Sequence, residues 1–312
     1  MVAIIIVSVV LGLLLLFFLG GAIVGYIFTF YHKPDLDKQT YNVLTGEQYD
    51  DYHDELVAVI VKAIEIPFER VTIKSHDGLT LAGRLYVQDA TKPFHLQING
   101  YKGYSVRDFA SGLLLALNEG HNVLLVDQRA HGYSSGHTIS FGIKERDDVL
   151  SWSKYIVERF GDEVKIFIEG ISMGATTVLM ASNLEIPNLV GVIADSPYNS
   201  VKEITYRVAK YYLKIPAFIA HPAIYWGAVL FGHFNINQFT CEDCVKDCKV
   251  PILIIHGTAD KLAPIEMSKS IQSAGNDVTL VEIEESVHGI GFFIDNKKYV
   301  ESVQQFFKKC LS

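Results

Sequence analysis

The segment Ile166-Phe167-Ile168-Glu169-Gly170-Ile171-Ser172-Met173-Gly174 sets a serine between two glycines, each two positions away. A strand-like apolar run precedes it and helix-forming residues from Ala175 to Leu184 follow. A serine on so tight a strand-to-helix turn needs small residues on both flanks, because larger side chains would collide as the backbone folds back. The turn lifts the hydroxyl above a sheet and sets a helix N-terminus beneath any negative charge that develops. The chemistry this suits is nucleophilic attack by Ser172. A serine hydroxyl is a poor nucleophile alone, so a base and an acid to orient that base are required.

His288 supplies the base, within Glu285-Ser286-Val287-His288-Gly289 after the last apolar run. Asp260 supplies the acid, within His256-Gly257-Thr258-Ala259-Asp260 after the run before it. Both fall on loops at strand C-termini, and the chain order Ser172, Asp260, His288 is the one a sheet of this kind delivers. The rival acid is Asp195, which ends its own run in Asp195-Ser196-Pro197-Tyr198. The spacing from His288 favours Asp260. An oxyanion needs two backbone donors. The N–H of Met173, just after the serine, is one. The N–H of Tyr101, in Asn99-Gly100-Tyr101-Lys102-Gly103, is the other, with Gly100 allowing close approach.

Alternating elements must position these residues. Arg70–Lys74 and Leu79–Val87 alternate around His76-Asp77-Gly78 and read as a hairpin. Six short apolar runs follow, at Phe94–Ile98, Asn122–Val126, Val164–Ile168, Leu189–Ala194, Pro251–Ile255 and Val278–Ile283, each with a helix-like stretch after it. Strands alternating with helices imply a mostly parallel sheet of eight strands with helices on both faces. One segment breaks the rhythm. About residues 198–248 form an insertion far longer than a single crossover helix needs, rich in aromatic residues such as Tyr206, Tyr211, Tyr212, Phe218, Tyr225 and Trp226. It is expected to be a helical cap that shapes a pocket over the strand C-termini.

Residues 1–31 hold 25 apolar residues and no charged side chain. About 20 helical residues cross a hydrocarbon core of about 30 Å, so this segment reads as an uncleaved single-pass membrane anchor. A cleavable signal would show a basic start, a shorter apolar stretch and an A-x-A-like site. Gly20, Gly21 and Gly25 have spacings that support helix pairing. Lys33 and Lys38 would keep the C-terminal side inside, but Asp35 and Asp37 beside them leave the side open. The organisation expected is an anchor over 1–31 that carries no chemistry, a spacer with a helix (Glu47 to Ile64) over 32–66, and a catalytic domain over 67–312.

The charge balance, 27 basic against 35 acidic residues and net −8, offers no basic cluster for nucleic acid. Cys241, Cys244 and Cys248 fall within eight residues. Three thiolates leave a structural zinc one ligand short, so free thiols are expected and no metal site.

The chain resembles the α/β-hydrolase superfamily. Asp127-Gln128-Arg129-Ala130-His131-Gly132-Tyr133-Ser134-Ser135-Gly136 looks like the D-x-R-x-H-G-x-S-x-G loop of capped members. The segment from Phe141 to Asp148 is similar to that of Bem46-like bacterial hydrolases. The likeness covers about residues 67–310. It departs where the oxyanion loop usually begins His-Gly, since Asn99-Gly100 stands here; the backbone donor survives, and the brace for the loop differs. His131 is expected to be structural. The resemblance implies a serine hydrolase working through an acyl-enzyme, with no cofactor; the segment 1–31, outside the likeness, makes it membrane-anchored, and the aromatic insertion favours a small-molecule carboxylic ester with an apolar acyl group. Peptidase or thioesterase action on the same triad is the alternative within this class, and a catalytically silent binding protein is the alternative outside it. Oligomeric state is not legible.

Overall fold

The structure, a computed structural model, describes residues 1–34 and 47–312. Residues 35–46 of the expected spacer, with Lys38, Asp35 and Asp37, lie outside the described residues. One sheet organises the body. Its strands are β1 (Glu69–Lys74), β2 (Thr80–Tyr86), β3 (Phe94–Ile98), β4 (Asn122–Asp127), β5 (Ile166–Ile171), β6 (Leu189–Asp195), β7 (Ile252–Gly257) and β8 (Val278–Ile283), in the order β1-β2-β4-β3-β5-β6-β7-β8. The hairpin β1–β2 joins β4 antiparallel; every other pairing is parallel. β3 and β7 have no exposed residue, as parallel strands covered on both faces require. This is the expected eight-stranded α/β arrangement. β5 runs three residues beyond the apolar run, to Ile171, because the strand must carry the backbone to Ser172.

Ahead of β1, the expected single helix from Glu47 to Ile64 is instead a short turn, Glu47–Asp50, and a helix, His53–Ile64. Buried Tyr49 accounts for the break: its hydroxyl donates to the carbonyl of His288 at 3.2 Å, which ties the turn to the body. Ile60 and Ala63 of the helix then pack with Tyr86, Phe109 and Leu113 in a core layer on one face of the sheet. These residues are part of the body rather than a linker to it.

The N-terminal helix, Val2–Thr29, has 28 residues and a length of about 42 Å at 1.5 Å per residue, long enough to cross a membrane. Its first turns are exposed, whereas Ala22 and Gly25 are buried against the helix Ala217–Gly227 of the insertion. The crossing is close because both sides lack a side chain there. A Cβ on Gly25 would meet the carbonyl oxygen of Ala223 at 2.2 Å, and one on Gly227 would meet the Tyr26 nitrogen at 2.6 Å. Of the three glycines singled out for pairing, Gly25 packs within this chain; a Cβ on Gly20 or Gly21 would meet nothing within 4 Å. Phe30 then enters the main core between Phe141 and Phe234.

Candidate active site

Ser172 sits at the end of β5 with φ 55° and ψ −114°, a conformation that L side chains seldom adopt. The helix Met173–Ala181 starts directly after it. Backbone crowding explains both flanking glycines. A Cβ on Gly170 would lie 2.1 Å from the Gly174 carbonyl, and one on Gly174 would lie 2.0 Å from the carbonyl oxygen of Ile98. Any larger residue at either position would push apart the strand, the helix or β3. Such strain persists only where the surroundings enforce it, and the Ser172 N–H is held by the carbonyl of Asp195 at 2.8 Å.

The geometry brings Ser172, His288 and Asp260 together. His288 Nε2 lies 2.8 Å from Ser172 Oγ, and His288 Nδ1 lies 2.6 Å from Asp260 Oδ2. Burial alone would push the Asp260 carboxyl up. Hydrogen bonds from His256 and His288 outweigh that, with the charge of the rings adding to them, and hold it well below the usual carboxylate range. An ionised carboxylate only accepts, so Nδ1 of His288 carries the proton. Nε2 is then left with a lone pair toward the serine hydroxyl. Asp260 receives four donors in all: Leu262 and Ala263 N–H on Oδ1, both at 2.9 Å, and His256 at 3.1 Å beside His288 on Oδ2.

His256 was not singled out by spacing. Its Nε2 faces the Ala263 carbonyl at 2.7 Å as well as Asp260, so that nitrogen must donate, and Nδ1 accepts from the Ser268 hydroxyl at 2.6 Å. Its place four residues before Asp260 was the available signal, and it is a weak one. Asp195 is positioned elsewhere. Its oxygens receive Ser196 Oγ–H at 2.8 Å and Tyr299 O–H at 2.9 Å, and burial pushes its carboxyl up against those hydrogen bonds. Glu169, three residues before the serine, is likewise occupied, by His95 and by Gln97.

The loop that bears Tyr101 crosses close to the serine: a Cβ on Gly100 would lie 3.6 Å from Ser172 Cβ. Among the described residues, neither the Tyr101 N–H nor the Met173 N–H is tied to another group. The N–H groups around them are tied. Gly100 N–H donates to Asp108 Oδ2 at 2.9 Å, and Lys102 N–H donates to His131 Nε2 at 2.9 Å. His131 is fully buried, and that burial lowers its pKa to about 4. Nε2 accepts, so Nδ1–H must donate to the Arg129 carbonyl at 2.9 Å. This brace replaces the histidine that usually opens such a loop. Asn99 instead fixes the loop from within, donating to the Gly100 carbonyl and accepting from the Gln128 N–H. Tyr101 is pinned at its far end, where its hydroxyl donates to the carbonyl of Thr29 at 2.9 Å.

Residues 135–312 match the prolyl oligopeptidase family, more than half of the chain. The chain belongs to that family. Its fold is that of the α/β-hydrolases. An uncharacterized protein of Bacillus subtilis, YqkD, is 27% identical over 195 residues, which take in 62% of this chain and 64% of that protein. The chain thus spans under two thirds of the length of that curated relative. The esterase Pf2001 of Pyrococcus furiosus superposes with a TM-score of 0.65 at 20% identity, covering 90% of this chain and 99% of that one. Est1E of Butyrivibrio proteoclasticus, solved with ferulic acid, gives 0.58 at 21% over 77% and 99%. A membrane phospholipase A described as a bacterial virulence factor gives 0.58 at 14% over 85% and 94%. Likenesses this distant speak to the fold.

Two cavities meet at Ser172 and His288. One, of about 250 Å³, runs toward the helices His53–Ile64 and Ser105–Asn118 and includes Tyr49, Arg107 and Asp108 in its wall. The other, of about 520 Å³, is almost wholly apolar and lies under the insertion. Among the aromatic residues of the insertion, expected to form its walls, Tyr198 alone lines it. Ile204, Val208, Ala209, Ala220 and Ile224 line it, while Tyr211, Tyr212, Phe218 and Trp226 are exposed. The opposite wall corrects a second expectation. Val24, Gly25, Phe28 and Thr29 line this cavity, so the N-terminal helix forms part of the site rather than lying apart from it. The cysteines of the triplet face separate carbonyls, Cys241 that of Tyr198 and Cys248 that of Val250.

Proposed function

We propose that the protein is a membrane-anchored serine hydrolase that cleaves a carboxylic ester through an acyl-enzyme, with Ser172, His288 and Asp260 as its triad. The observation that carries this reading is the unbroken chain from Ser172 Oγ through the His288 ring to Asp260, open to two cavities on the serine side. His288 takes the Ser172 proton as Oγ attacks the carbonyl carbon. The oxyanion that forms meets the free N–H groups of Tyr101 and Met173, aided by the N-terminus of the helix Met173–Ala181. His288 then delivers its proton to the leaving alcohol as the C–O bond breaks. Water, activated by the same ring, attacks the acyl-enzyme; the acid leaves and the serine regains its proton. The anchor is the helix Val2–Thr29, whose exposed turns carry no charge.

Family membership favours a second reading, peptide-bond cleavage by the same residues. The apolar cavity favours the ester. A fluorophosphonate should label the wild-type protein and not Ser172→Ala; labelling that persists in the variant would end the assignment. A panel of p-nitrophenyl esters beside aminoacyl amides then separates ester from peptide, and turnover of the amides alone would replace the first reading with the second.

A further inference from the structure

We infer that the 520 Å³ cavity holds the long acyl chain of an ester drawn sideways from the surrounding bilayer leaflet, between the N-terminal helix and the insertion. The inference rests on the serine-hydrolase reading and specifies its substrate class. Three observations carry it. First, the walls are contributed jointly: Val24 and Phe28 on one side, Leu213, Ile215 and Ile219 on the other, with Ser172 and His288 at the inner end. A chain lying along this cavity passes directly from the membrane-crossing helix to the nucleophile. Second, the insertion is exposed and apolar at and near this cavity. Leu213, Ile215 and Ile219 of its wall face out, as do Phe218, Trp226 and Leu230 of the same insertion. Among the described residues, the large apolar side chains exposed elsewhere, apart from the N-terminal helix and Tyr31 after it, are Val87 and Tyr133 together with Tyr211 and Tyr212 of the same insertion. Exposed apolar area this concentrated marks a surface made for an apolar neighbour.

Third, the occupant of that surface follows from its position. Trp226 packs edge-on against Phe18 of the N-terminal helix, with ring centroids 5.6 Å apart, and Gly25 and Gly227 lock the two helices together. When the helix crosses a bilayer, the insertion beside it enters the same leaflet, Trp226 lying among the acyl chains with Phe18 while Tyr211 and Tyr212 supply amphipathic rings for the headgroup level. The cavity mouth then opens among acyl chains rather than into water. A chain that moves from leaflet to cavity exchanges one apolar environment for another, so desolvation of the ester group at Ser172 is the only polar cost. Hydrolysis consumes one water and yields a fatty acid and the freed alcohol, whose polar part faces the cavity lined by Arg107 and Asp108.

The test uses the full chain in phospholipid nanodiscs and a hexadecyl fluorophosphonate with a diazirine at the far end of its chain. After phosphonylation of Ser172, photolysis should cross-link the chain end to residues 24–29 or 213–224. Cross-links to the helix His53–Ile64 or to Phe292 and Phe293, in the other cavity, would overturn the inference, as would labelling by an ethyl fluorophosphonate but not by the hexadecyl one. Failure of both probes would instead remove the serine-hydrolase reading beneath it. Kinetics supply an independent arm: in Val24→Trp and in Ala220→Phe, the ratio of kcat/KM for hexadecanoyl over butanoyl p-nitrophenyl ester should fall at least about tenfold. A ratio that stays constant in both variants would count against the cavity as the acyl site.

Discussion

Asp195 and Asp260 are the same residue type at the same kind of place, and their surroundings act on them in opposite directions. Each lies at the C-terminal end of a strand, Asp195 closing β6 and Asp260 three residues past the neighbouring β7, and each is buried. The difference lies in their neighbours. Asp260 faces two imidazoles and two backbone N–H groups, which hold it ionised. Asp195 faces two hydroxyls, Ser196 and Tyr299, and burial pushes its carboxyl up. A hydroxyl stabilises a carboxylate less than a ring that can carry positive charge, so burial dominates at Asp195 and is overcome at Asp260. The two acids are therefore told apart by their donors, not by their strands.

Asp260→Asn is the sharpest way to break this contrast. The amide can present its N–H₂ to His288 Nδ1 and so favour the tautomer that has no lone pair toward Ser172. An ester assay should register a fall in kcat on the order of 10⁴-fold, with folding retained on circular dichroism. A fall of less than tenfold would transfer the role of acid elsewhere, Asp195 being the first candidate. His256→Leu removes one of four donors to Asp260 and leaves His288 in place. A hydrogen bond to a charged group contributes about 1.5–3 kcal/mol, so kcat should drop by roughly 10- to 100-fold, and an unchanged kcat would make His256 a packing residue only. Asp195→Asn keeps an acceptor for Tyr299 and touches none of the three reacting groups, so kcat should change by no more than about threefold.

The parts of the site legible in the sequence are those dictated by backbone geometry within a few residues. Gly170 and Gly174 are forced by contacts of 2.1 and 2.0 Å, so the turn around Ser172 could be read from spacing alone. The strand positions, and with them those of Asp260 and His288, followed from the alternation of strands and helices, to within three residues at each end. What escaped depends on contacts between distant segments. Tyr49 reaches the carbonyl of His288 across 239 positions, and Tyr101 reaches Thr29 across 72. Composition likewise identified an apolar helix that could cross a membrane, but not that its last turns would meet Ala223 and close a cavity. The aromatic residues of the insertion were legible as a group, whereas their facing was not, since outward and inward aromatics look alike until the partner surface is known.

The smallest expected effect separates the two acids by sign. A carboxyl held below its ordinary value of 3.8 contributes stability that is present above that pH and is lost as pH falls through the lower folded-state value. Asp260 is of this kind, so the melting temperature of the wild type relative to Asp260→Asn should shrink as the pH is taken from 5 toward 3. A carboxyl pushed above 3.8 behaves in the opposite way. Its burial penalty is absent below 3.8 and grows as pH rises through the raised folded-state value, because the folded state binds the proton more tightly. The wild type relative to Asp195→Asn should therefore gain as the pH falls from 7 toward 4. Two melting series of opposite slope are the expected result. Parallel slopes would mean that the two carboxyls share one protonation behaviour, and the distinction drawn from their hydrogen-bond partners would fail.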